Sequence, residues 1–71
     1  MYPNLRAEIA RYGITVHEIA EACGRKETSI YSKMKGATEF TLGDMEKIKK
    51  LLDKISNKDF TLEYLFERSA A

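Results

Sequence analysis

The chain has one cysteine, one proline, one histidine and no tryptophan in 71 residues, and each scarcity removes a class of explanation. A single cysteine cannot close an internal disulfide, and a small domain carrying a lone thiol suits a reducing compartment. A metal site needs partners at ligand spacing, and Cys23 with the distant His17 supplies none, so no metal or other cofactor is expected and Cys23 reads as a small core residue. The only proline is Pro3, which leaves the rest of the chain without a residue that breaks helices. No apolar run approaches the roughly 18 residues that would span a membrane. The opening Met-Tyr-Pro-Asn-Leu-Arg lacks the basic start and apolar stretch of a signal peptide, so the expected address is cytoplasmic. A general-acid carboxylate pair, a nucleophile with its base and a Gly-rich phosphate loop are all missing at workable spacing, so neither catalysis nor a small-molecule ligand is expected.

Charge of one sign is also missing: the net charge is +1, and composition alone does not mark a nucleic-acid binder. The distribution is more informative. Between Arg25 and Lys35 there are four bases (Arg25, Lys26, Lys33, Lys35) against one acid (Glu27), an excess of +3, so the remaining residues sum to −2. A charge run by itself is most simply a solvated helix face, and it gains weight only from the structural context around it.

Seventy-one residues make one domain with a small core, since a chain of this size buries only about 60% of its unfolded surface. The pattern is helical throughout. A first helix is expected from an N-cap at Asn4 to about Tyr12, with Leu5, Ile9 and Tyr12 at helical spacing and Gly13 ending it. Thr15 followed by Glu18 forms a capping box, with Ile14 placed as its hydrophobic staple. The helix behind it carries Val16, Ile19, Ala20 and Cys23 on its apolar face, and Gly24 ends it. A third helix, Lys26 to Lys35, buries Ile30 and Met34 and closes at Gly36.

Phe40 is expected as a buried anchor, and Thr41 with Asp44 repeats the cap for a fourth helix. That helix has Met45, Ile48, Leu51, Leu52 and Ile55 inward and Lys47, Lys49, Lys50 and Lys54 outward. After a turn at residues 56–59 a fifth helix runs from Phe60 or Thr61 to Glu67, and residues 68–71 form a frayed tail. The expectation is an all-α, five-helix domain over residues 1–67. Its centre, residues 15–36, is two helices joined by a tight turn, the shape of a helix-turn-helix reader.

The spacing of Ile19, Ala20, Gly24 and Ile30 resembles the helix-turn-helix of the phage Cro and repressor family, the lambda-repressor-like fold. So do the stretches Lys33-Met34-Lys35-Gly36, Glu39-Phe40-Thr41-Leu42 and Glu63-Tyr64-Leu65-Phe66, so that the likeness covers most of the chain. It implies a transcriptional regulator of a phage or prophage that occupies a double-stranded DNA operator and acts as a repressor by excluding polymerase. One position departs from the pattern. Many members are apolar three residues after the place of Ile30, where this chain has Lys33, and Met34 is expected to fill that pocket while Lys33 lies at the edge, within reach of a phosphate.

Laid out at about 100° per residue, Thr28, Tyr31, Ser32 and Lys35 fall on one arc turned away from Ile30 and Met34. The major groove admits one helix, so Thr28, Tyr31 and Ser32 are the expected base readers, with Glu27 able to accept from a cytosine amino group or simply to stabilise its helix start. Arg25, Lys26, Lys33, Lys35, Thr38 and His17 are the expected phosphate contacts. Surplus apolar surface on the last helix, at Leu62, Tyr64, Leu65 and Phe66, marks a candidate homodimer face, unless those residues only close the core. The competing reading is a protein-interaction module of the antitoxin or adaptor kind without a DNA role. With no ligand or cleavage domain after the fold, control through concentration, dimerisation or another protein is expected.

Overall fold

The computed structural model describes residues 1–68. Among them are five helices and no strand: α1 Pro3–Arg11, α2 Val16–Cys23, α3 Glu27–Lys35, α4 Leu42–Ser56 and α5 Leu62–Leu65. The all-α, five-helix architecture is therefore present. The Cα radius of gyration, 11.0 Å, equals the roughly 11 Å expected of a compact chain this long. Helix α2 packs against both α3 and α4, while α5 packs against α1 and α4. Leu5, Ile19, Ile30, Ile48, Leu52 and Leu65, one or two from each helix, meet in the middle and are almost wholly removed from water.

Local chemistry sets most boundaries. At α2 the Thr15 side chain accepts from the Glu18 backbone and the Glu18 carboxylate accepts from the Thr15 backbone; Thr41 and Asp44 do the same at α4. Gly24 and Gly36 end α2 and α3 with φ of 68° and 88°, a left-handed conformation in which a Cβ is strained. In each case the next amide reaches back five residues, Arg25 to the Ala20 carbonyl and Ala37 to the Ser32 carbonyl. Asn57 takes the same left-handed role after α4.

Four expectations are corrected. Asn4 does not cap α1, because Pro3 already occupies the first turn, where its missing N–H costs nothing. The Asn4 amide instead donates to the Tyr64 carbonyl (2.8 Å) and a Glu67 carboxylate oxygen (3.1 Å). Helix α5 is a single turn, shorter than the expected segment to Glu67, because Phe66 leaves the helix to pack its ring against Tyr2 (5.9 Å) and Phe40 (5.4 Å). With α5 that short, the last turn of α4 is uncovered and Ile55 is 42% exposed, so it is not a core residue. Lys49 does not simply face out; its ammonium bonds Asp53 and, at 2.8 Å, Asp59, closing the turn between α4 and α5.

The tail expectation divides. Arg68 is held, donating to Glu39 (3.0 Å) and stacking over the Tyr2 ring; residues 69–71 lie outside the described residues.

The residues expected on a dimer face also take part in the fold of the chain itself. Leu65 is fully buried, Leu62 and Phe66 are half-buried, and the hydroxyl of the more exposed Tyr64 donates to Glu8 at 2.7 Å. Leu65 and Phe66 therefore act as core residues in this chain. No helix among the described residues is long and apolar enough to cross a membrane.

Candidate nucleic-acid interface

Three residues, Gly24, Arg25 and Lys26, separate α2 from α3. So short a connection holds α3 across the end of α2 and leaves one long side of it facing outward. Its inward side is set by Ile30, Met34 and Lys33, all buried. On a helix those three directions lie opposite Thr28 and Lys35, and both of these are exposed. Tyr31 is 51% exposed on the same side, and Ser32 is half-buried. The roll of α3 is thus fixed, and the four residues expected on the arc do share its outer side.

Burial of Lys33, at 8% exposure, corrects the expectation that it lies at the edge within reach of a phosphate. Its Nζ donates to the Glu39 carbonyl (2.9 Å) and stands 3.9 Å from an Asp44 carboxylate oxygen. The long aliphatic stem takes the place of an apolar residue in the wall while its charge is matched from below. Arg25 stays exposed but is anchored to the same carboxylate: its Nε donates to both Asp44 oxygens, at 2.8 and 3.0 Å.

Asp44 thus serves the turn, α3 and the cap of its own helix at once. Burial pushes its carboxyl upward, but the bonds from Arg25 and from the Thr41 backbone and hydroxyl outweigh burial and hold it below the ordinary range. Sequence spacing marks Asp44 as a cap. It does not reveal that two of the four bases counted on the turn and α3 belong to it, because that pairing crosses from one helix to another.

Lys26, Lys35 and Thr38 are exposed, at the start of α3, at its end and in the following loop. The outward basic charge is therefore concentrated at the two ends of α3. His17 is exposed near the start of α2, with Nε2 2.6 Å from Glu21 and Nδ1 3.2 Å from Glu27. The bond from Glu27, then the charge of Glu21, raises its pKa above the ordinary 6.5. Glu27 is thus engaged by α2 rather than standing alone at the helix start. Among the described residues no pocket opens, and no group of three or more His, Cys, Asp or Glu side chains gathers as metal ligands would.

No family model, curated protein or solved structure matches the chain.

Proposed function

We propose that the chain is a sequence-specific DNA-binding regulator of the lambda-repressor-like helix-turn-helix kind, with α3 as the helix that enters the major groove. The observation that carries this reading is the two-sided character of α3. Its inner side is anchored by Ile30, Lys33 and Met34. Its outer side is small and polar at Thr28 and Ser32, aromatic at Tyr31 and basic at Lys35. Thr28 and Ser32 can donate or accept at base edges, and the Tyr31 ring can lie on a thymine methyl. Lys26, Lys35 and Thr38 bracket the helix as phosphate contacts that set its register. A cytoplasmic repressor of phage or prophage origin, occupying an operator against polymerase, is the physiological role that fits.

A protein-interaction module draws support from one observation, the diversion of Arg25 and Lys33 to Asp44, which thins the outward charge. Selection from a library of random duplexes at low salt separates the two. The DNA reading predicts enrichment of a common sequence; recovery of no duplex, or of duplexes without any shared sequence, would refute it.

A further inference from the structure

Both nitrogens of the His17 ring face carboxylate oxygens, Nε2 toward Glu21 at 2.6 Å and Nδ1 toward Glu27 at 3.2 Å. A neutral imidazole has one donor and one acceptor, so it can serve only one of these carboxylates; the imidazolium has two donors and serves both. Both contacts can be hydrogen bonds at once only when the ring is protonated. Glu21 lies on the same helix, four residues on, whereas Glu27 is the first residue of α3. One proton thus ties the start of the outward-facing helix to α2.

Glu27 also occupies the point on α3 where a carboxylate matters most. Held on His17, it is neutralised and turned toward α2. Released, it stands beside Thr28, where it can accept from a cytosine amino group or repel a phosphate. The charged groups facing His17 are Glu21 on α2 and Glu27 on α3. The charges of α4 that act on α2, Asp44 and Lys47, act at Cys23.

We propose that His17 is a proton-operated gate on Glu27: the imidazolium clamps the Glu27 carboxylate to α2, and loss of the proton releases it onto the DNA-facing side of α3. The gate rests on the DNA reading and adds a regulator to it. Affinity for DNA of arbitrary sequence falls as pH rises through the His17 pKa, since one positive charge is lost and one negative charge is uncovered. The fall is limited to about tenfold for each unit by which DNA raises that pKa.

The chain has one histidine, so its imidazole resonances report His17 without overlap. The test is an NMR titration of the whole chain from about pH 5 to about pH 9, together with binding of a random-sequence duplex over the same range. The expected results are a His17 pKa above 6.5 that drops in Glu27→Gln, and an affinity that falls severalfold with pH in the wild type. That pH dependence should be smaller in Glu27→Gln and absent in His17→Gln. A pKa unchanged by Glu27→Gln overturns the clamp without reference to DNA. Binding whose pH dependence is the same in the wild type and Glu27→Gln overturns the gate and leaves the DNA reading standing. No binding at any pH at low salt defeats the DNA reading, and the gate with it.

Discussion

Asp44 joins the turn after α2, the buried side of α3 and the start of α4. It is 3% exposed, yet it is kept ionised by Arg25, by the Thr41 cap and by the nearby Lys33 ammonium. Removing one partner from a buried pair leaves the other charge uncompensated, which costs more than the pair contributes net. Asp44→Ala is therefore expected to destabilise the fold by about 2–3 kcal/mol, less than for a fully buried pair because Arg25 is partly solvated. A domain of this length has only about 4–10 kcal/mol in hand, so urea unfolding would register the loss plainly. Because the Asp44 pKa is lowered on folding, its contribution is complete above the ordinary carboxylate range and is lost as pH falls through the lowered value. The wild type should accordingly lose stability on acidification below about pH 4, and Asp44→Asn should lose less over the same interval. Residue types and spacing disclosed the cap formed by Thr41 and Asp44, but not the diversion of Arg25 and Lys33. The first is a contact over three residues; the second depends on how α3 and α4 meet.

At the level of elements, the ends of helices were the most legible part of the chain. Both Thr-x-x-acid boxes and the glycine stops at Gly24 and Gly36 act within a few residues, so sequence determines them before packing intervenes. Thr15→Ala should cost about 1 kcal/mol through the lost cap. Gly24→Ala should cost a similar amount, about 1 kcal/mol, through its left-handed φ, and thermal unfolding of the two variants checks both. The bounds of the first and last helices are set by the opposite influence. Asn4 is a good cap in isolation, and Phe60 to Glu67 reads as helix, but burial of Tyr2 and Phe66 in one aromatic cluster decides where α1 begins and where α5 stops. For α3 the inward positions Ile30 and Met34 and the outward arc were legible, while the burial of Lys33 was not, since a lysine in that wall breaks the ordinary pattern of apolar residues inside.

Across the whole molecule, contacts between the two ends of the chain close the fold. The Tyr2 ring meets Phe40 at a tilt and Phe66 edge-on, Asn4 holds the Tyr64 carbonyl, and the Tyr64 hydroxyl reaches the buried Glu8 across 56 positions of sequence. The other Glu8 oxygen, Oε1, has no hydrogen bond, with Arg11 Nε 3.5 Å away. Tyr64→Phe would strip the remaining donor from a buried carboxylate and should lower the urea midpoint of unfolding. Tyr31→Phe, which removes an exposed hydroxyl from α3, should leave stability within about 0.5 kcal/mol of the wild type. Equal effects in the two variants would show that the seam between the ends contributes little.

The same closed form leaves α3 as the side turned outward. That α3 reads and grips DNA is the proposal, and the dissociation constants for a selected duplex and for its scrambled counterpart decide it. The measurement compares wild type, Thr28→Ala and Lys35→Ala between about 50 mM and about 200 mM salt. Lys35→Ala is predicted to weaken both duplexes alike and to flatten the salt dependence by about one phosphate contact, whereas Thr28→Ala should cost about 1–3 kcal/mol on the selected duplex alone. Wild-type binding that does not distinguish the two duplexes, or that neither substitution alters, would rule out that role for α3.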